Sequence, residues 1–149
     1  MKKIISLAVC FVMPFVLMGA KTAEETPPTT SAQAFVLYCP DNNTVICSKN
    51  ADEKMKPAST TKIMTSLITL EEAASCNSEV TFKQEMVAEG SSMYLKVGEK
   101  VRLSDLASGM MMASGNDAAN AAAYTISGSP EKFSQRMNEK AKQIGMTNT

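Results

Sequence analysis

Ser59 and Lys62, in the stretch KPASTTKIMTSL at residues 56–67, place a hydroxyl three residues ahead of an amine at the mouth of an apolar run. On a helix, residues i and i+3 share a face with Cβ atoms about 5–6 Å apart, so a helix that starts at Ser59 turns Lys62 back toward it. That pairing suits nucleophilic catalysis, in which the hydroxyl attacks a carbonyl carbon and the amine takes its proton. A helix N-terminus favours the negative charge that develops in such a step. Apolar neighbours, Ile63 and Met64, would shield the amine from water, which disfavours its protonated form. The same residues are also accounted for by a serine N-cap with a lysine in the first turn.

The chain has no histidine. A Ser-His-Asp or Cys-His hydrolase needs an imidazole base, so a serine nucleophile here needs another proton acceptor, and lysine can be one. Ser-x-x-Lys has little specificity by itself. Ser129 and Lys132 repeat the spacing, and there Ser129 reads as an N-cap and Pro130 as a first helical residue. Ser-x-Asn occurs at Ser48, Ser75 and Ser114. Ser48 ends a predicted strand, and Ser75 lies roughly 24 Å from Ser59 if one helix joins them. Ser114 differs, because ASGND reads as a sharp turn between two helices rich in Ala and Met. Gly115 permits close backbone approach, so this turn can present a hydroxyl and an amide to a cleft. Asn116 can equally cap a helix that begins at Asp117. Met110 to Met112 read as core filling, and Asp117 as a first-turn acid favoured by the helix dipole.

The elements that must hold these groups follow from pattern. AFVLY and TVICS, separated by PDNN, predict a β-hairpin, since Asn and Asp tolerate left-handed backbone. A helix is predicted from about Ser59 to Glu72, with Ile63, Leu67 and Leu70 on one stripe and Met64 and Ile68 widening it, so that much of its surface would be buried. EVTFK reads as a short strand and EGSSMYLKVGEKV as a loop. Ser104 is expected to cap a helix through DLASGMMM, and an Ala-rich helix follows from about Asp117 to Ile126. A last helix starts at Ser129–Pro130, carries Phe133, Met137, Ala141 and Ile144 on its apolar stripe, and stops at Gly145. One hairpin and one further strand are too few for a stable sheet. Either helices cover the hairpin alone or further strands lie beyond Thr149.

Composition narrows the function classes. The 149 residues are at most one ordinary domain, with 15 basic and 15 acidic side chains. No basic stripe or aromatic-interleaved patch points to nucleic acid. Lys2 and Lys3, the apolar run Ile4 to Met18 and the small residues after it predict a secretory signal over residues 1–23, cut near Ala20 or Ala23. The run is short for a membrane span. Residues 24–33, rich in Thr and Pro, read as a flexible leader, and the folded part as residues 34–149. Cys39, Cys47 and Cys76 remain after the signal. Export permits a disulfide, and Cys39 and Cys47 flank the hairpin turn, where a register shift of one residue decides whether they meet. With no CxxC spacing and no histidine, neither a zinc site nor any other cofactor is expected.

PASTTKIMT and EGSSMYLKVGEKVRLSDLASGMMMASGNDAANA resemble the D-alanyl-D-alanine carboxypeptidases, the low-molecular-mass penicillin-binding proteins. The resemblance runs from about Ala34 to Thr149 and includes KNADEKMKPAS and MNEKAKQIGMTNT. It implies an α/β (α+β) fold of the DD-peptidase/β-lactamase type, with an N-terminal β-hairpin plus a helical cluster. It further implies Ser59 as the acylated nucleophile, Lys62 as its base, Ser114 as a proton relay to the leaving group, and Asn116 as a donor to the substrate's peptide carbonyl. The implied partners are peptidoglycan stem peptides ending in D-Ala-D-Ala, with β-lactams as covalent inhibitors, outside the cytoplasmic membrane. Ser-Gly-Asn here, against the Ser-Asp-Asn common in related β-lactamases, favours the peptidase over a serine β-lactamase. The family's third motif, Lys-Thr-Gly or Lys-Ser-Gly, has no match, the last lysine being Lys142 in KQI. The remaining strands of the sheet and any membrane-attaching region are likewise missing. The chain is therefore expected to be the N-terminal part of a longer enzyme, inactive by itself. A non-catalytic wall-binding module is the alternative that the missing motif raises.

Overall fold

The computed structural model describes residues 29–149, so the predicted signal and the first part of the leader lie outside the described residues. These fall into two compact units, one ending at Met55 and one beginning at Lys56.

In the first unit, β1 (Phe35–Cys39) pairs antiparallel with β2 (Thr44–Lys49). The turn between them carries Asn43 at φ +56°, the left-handed backbone that Asn accepts more readily than most residues. The Tyr38 hydroxyl donates to the Asn43 side chain. The register shifts between Leu37 and Tyr38. Cys47 therefore lies opposite Leu37 and Cys39 opposite Thr44, and both thiols are free.

The second unit holds α1 (Lys62–Ser75), β3 (Glu79–Thr81), β4 (Lys100–Arg102), α2 (Leu103–Met112), α3 (Asn116–Ser127) and α4 (Pro130–Gln143). β3 and β4 form a second antiparallel pair with Val80 opposite Val101. The alanines of α3 let it sit among its neighbours. Ala118, Ala121 and Ala122 are fully buried, packed with Phe82, Leu106 and Met110 in the main core. A smaller cluster joins Ile68, Ala123 and Phe133. α1 packs on α2 and on α3, and α3 on α4.

The stretch 89–101, read as a loop, ends in β4, and three further expectations need correction. First, the predicted apolar stripe of α1 is its open face: Ile63, Leu67 and Leu70 are 61%, 38% and 51% exposed, while Thr65, Ser66, Ile68 and Thr69 are buried. Threonine can face the core because its hydroxyl bonds the carbonyl one turn back, as Thr69 Oγ1 does to the Thr65 carbonyl at 2.7 Å. Second, Ser104 does not cap α2. It is a helical residue, and Asn77 reaches in from outside, its Oδ1 accepting from Ser104 N at 3.1 Å and its Nδ2 donating to Ser104 Oγ at 3.0 Å. Third, Ile144 lies past the end of α4 and is 53% exposed, whereas Phe133 and Ala141 of the same stripe are buried.

The ends of α4 are as the sequence predicts. Ser129 Oγ accepts from Lys132 N, Pro130 opens the helix, and Gly145 at φ +83° ends it. Gly145 N donates to the Lys142 carbonyl and Met146 N to the Ala141 carbonyl, which satisfies carbonyls the helix leaves open.

Candidate active site

Pro57 enters a short 3-10 turn, Ala58–Thr61, that runs directly into α1. Ser59 sits in that turn and Lys62 is the first residue of the α-helix, so the pair straddles the change from one helical form to the other. The expected helix start at Ser59 is thus three residues early. The i+3 proximity survives because a 3-10 turn stacks residues i and i+3. Lys62 Nζ lies 3.4 Å from Ser59 Oγ. No side chain caps α1, so the cap explanation of Ser59 has no hydrogen bond behind it.

The second pair arrives from the α2–α3 connection. Ser114 has φ +53°, an unfavourable backbone for a residue with a Cβ, and Ser114 Oγ donates to Ser59 Oγ at 3.0 Å. Gly115 has ordinary extended backbone, and its smallness serves a close approach instead. A Cβ there would stand 2.9 Å from Asp117 Oδ1 and 3.1 Å from Met93 Cγ. Asn116 is the first residue of α3 and does not cap it. Its Oδ1 accepts from Lys62 Nζ at 2.7 Å, and its Nδ2 donates to the Glu89 carbonyl at 2.7 Å.

All four residues singled out from the sequence are therefore joined in one hydrogen-bonded set. Ser59 is the exposed member, and Lys62, Ser114 and Asn116 are half-buried. The shielding expected from Ile63 is absent, since that side chain points to solvent. Asn116 is what lies against the amine instead. An apolar groove of roughly 490 Å³ begins beside the same turn, lined by Pro57, Ile63, Met64, Leu67, Met137 and Ile144, and contains none of the four. Among the described residues, no group of three or more His, Cys, Asp or Glu side chains is placed to hold a metal ion.

Asp117 is more than a first-turn acid. It is 3% exposed. Its carboxylate accepts from Ser92 Oγ at 2.6 Å and from the backbone amides of Met93, Leu95 and Ala118 at 2.9, 3.1 and 2.9 Å. Burial pushes its pKa up, but the four donors outweigh burial and hold the carboxyl below the usual carboxylate range. Nothing in the sequence pointed to Ser92, Met93 and Leu95, which lie 22 to 25 residues earlier.

Comparison with known proteins places the chain in a family. The family model described as D-alanyl-D-alanine carboxypeptidase matches residues 20–149. The chain is 35% identical over 159 aligned positions to the D-alanyl-D-alanine carboxypeptidase DacF of Bacillus subtilis, covering 100% of this chain and 41% of that one. It is 38% identical to DacC of Escherichia coli, covering 87% of this chain and 36% of that one. Among solved structures, the D-alanyl-D-alanine carboxypeptidase DacD from Francisella tularensis superposes with a TM-score of 0.77 at 36% identity, over 83% of this chain and 31% of that chain. Penicillin binding protein 5 from Haemophilus influenzae superposes with a TM-score of 0.76 at 32% identity, over 83% of this chain and 38% of that chain. The chain thus spans about two-fifths or less of the length of these relatives, and the two small hairpin sheets and four helices of its described residues are part of their fold. The chain belongs to the D-alanyl-D-alanine carboxypeptidase family.

Proposed function

We propose that this chain is the N-terminal part of a serine D-Ala-D-Ala carboxypeptidase that trims peptidoglycan stem peptides through an acyl-enzyme at Ser59. The observation that carries the reading is the contact set Ser114–Ser59–Lys62–Asn116, with 3.0, 3.4 and 2.7 Å between successive polar atoms. A neutral amine has two hydrogens and one lone pair. With one hydrogen on Asn116 Oδ1, Lys62 can turn its lone pair to the Ser59 hydroxyl and accept that proton as Oγ attacks the carbonyl carbon of the penultimate D-Ala. The C–N bond then breaks, and the proton taken up by Lys62 passes through the Ser114 hydroxyl to the leaving amine of the terminal D-Ala. Water hydrolyses the resulting ester by the reverse relay. The Asn116 amide has two donor hydrogens; one holds the Glu89 carbonyl and the other is available to a substrate peptide carbonyl.

A β-lactam enters by the same attack, with the ring amide as the bond broken and the acyl group retained on Ser59. The exposed side chains of Ile63, Leu67 and Leu70 support the view that further parts of the enzyme cover α1. Those parts would include a Lys-Thr-Gly strand to hold the substrate carboxylate. Residues 1–23 would direct the protein out of the cytoplasm, with peptidoglycan as its partner. Among the described residues no helix is long and apolar enough to cross a membrane.

The test is to label the intact protein with a fluorescent penicillin and locate the adduct by mass spectrometry. The expected result is one adduct on Ser59 that disappears in Ser59→Ala. Label that persists in Ser59→Ala overturns the reading, and rapid nitrocefin turnover in place of a lasting adduct would point to a β-lactamase.

A further inference from the structure

Asn116 does not hold its position through α3 alone. Its backbone amide donates to the Ser91 carbonyl at 2.7 Å and its side-chain amide to the Glu89 carbonyl at 2.7 Å. Both acceptors belong to the loop between the Gln84–Met86 turn and β4. Where that loop lies therefore decides where Asn116 Oδ1 lies, and so whether it meets Lys62 Nζ at 2.7 Å.

The loop has no strand or helix of its own to fix it. Its far end is tied to Phe82, with Gly98 N donating to the Phe82 carbonyl and Phe82 N to the Glu99 carbonyl, both at 2.8 Å, and its 92–95 part is held on α2 and α3 at two further points. Met93 fills the space left by the missing Cβ of Gly109, where an added carbon would overlap Met93 Sδ at 1.7 Å, and it packs against Gly115 as well. Asp117 supplies the second point. Of its four accepted hydrogen bonds, one comes from Ala118 in its own helix and three come from Ser92, Met93 and Leu95 in the loop. An acid present only for the helix dipole gains its effect while exposed to water, and would have no need of burial or of donors from another segment.

We propose that Asp117 is a positioning residue for acylation. By gathering the amides of the 92–95 segment onto the first turn of α3, it sets the Ser91 and Glu89 carbonyls that aim Asn116 at Lys62. This rests on the function proposed above, and it assigns Asp117 no contact with substrate. Asn at this position keeps one acceptor oxygen for Met93 and Ala118 but turns an NH₂ toward the Leu95 amide, so that two donors face each other. The loop then loses its hold on that side, and Asn116 loses its fixed carbonyl partners.

The experiment is a double-mutant cycle on penicillin acylation of the intact protein, with amide hydrogen exchange as a second readout. Asp117→Asn should slow acylation by about 10- to 100-fold, the scale of a sub-ångström to 1 Å displacement of a reacting group. Adding Asp117→Asn to Asn116→Ala should then slow it further by no more than about twofold, because a residue that acts through Asn116 has nothing left to act on. Effects that multiply, or an unchanged rate in Asp117→Asn, overturn the proposal. Exchange at the Met93, Leu95 and Asn116 amides should accelerate together in Asp117→Asn and stay slow in Ser59→Ala. An Asn116 amide that stays protected while Met93 and Leu95 open also overturns it. If the unsubstituted protein takes no penicillin, the proposed function fails, and exchange alone still decides the role of Asp117. If Asp117→Asn does not fold, Ser92→Ala removes a single bond to the same carboxylate and should reproduce the sub-additive pattern at smaller amplitude. Multiplicative effects with Asn116→Ala in that variant overturn the proposal equally.

Discussion

Replacing Ser114 separates what its backbone costs from what its hydroxyl does. Ser114 is held at φ +53°, where a residue with a Cβ pays about 1–2 kcal/mol relative to the right-handed region, and its Oγ donates to Ser59 Oγ at 3.0 Å. Ser114→Ala deletes the hydroxyl and keeps the backbone strain. A half-buried hydrogen bond of this kind contributes about 0.5–1.5 kcal/mol, so Ala should destabilise by about that amount. Ser114→Gly deletes the same bond and also relieves the strain, at a cost of about 0.5–1 kcal/mol in unfolded-chain entropy. Glycine should therefore be the more stable of the two by up to about 1 kcal/mol, the reverse of their order in a helix interior. That difference corresponds to several degrees in melting temperature for a small domain. Urea denaturation of the two variants side by side reads it directly. Both variants lose the proposed proton relay, so both should acylate with penicillin at the same reduced rate, about 10²- to 10⁴-fold below the parent. An alanine variant more stable than the glycine variant by about 0.5–1 kcal/mol, the full entropy cost of glycine, would show that the Ser114 backbone is not strained. A glycine variant that acylates at the parental rate would remove the hydroxyl from the chemistry.

Ser66 Oγ is buried on α1 and has no hydrogen-bond partner among the described residues; Ser66→Ala should therefore raise stability by about 1 kcal/mol, read as a higher urea midpoint with an unchanged slope. Gly109→Ala should destabilise by about 1–3 kcal/mol through overpacking against Met93, and Met93→Ala should recover part of that loss in the double variant, checked by thermal melts. Because the folded-state pKa of Asp117 is depressed, its contribution to stability is complete above the unfolded value of about 3.9 and is lost as pH falls through the folded value. Asp117→Asn should accordingly weaken the protein at pH 6 and flatten the decline in stability below about pH 4, measured by melting temperature against pH.

The legible parts of this chain are those whose signals are local. Ser129, Pro130 and Gly145 bound α4 because capping and left-handed backbone are decided within a few residues. The turn at Asn43 reads out for the same reason. What failed were mainly the inferences about which distant segment a face or a cap would meet. Periodicity in α1 identified an apolar face at Ile63, Leu67 and Leu70, but it cannot say what covers that face, and the helix instead turns Thr65, Thr69 and Ile68 inward. Ser104 carried the composition of a cap, yet it lies inside α2, where Asn77, 27 residues away, accepts from its amide while Asp105 accepts from that of Arg102. The site divides along the same line. The three-residue spacing of Ser59 and Lys62 survives a change from α-helix to 3-10 turn because both forms stack i over i+3. Their meeting with Ser114 and Asn116, 55 and 54 residues on, depends on α1 packing against α2 and α3. No spacing within either motif encodes that packing. Asp117 is the sharpest case. Its position after Asn116 offered a sufficient local explanation in the helix dipole, and only its burial and the loop amides gathered on it reveal that a residue at the start of a helix can hold a segment 22 residues earlier in place. A complete local account of a charged side chain is thus no measure of what it does until its hydrogen-bond partners have been counted.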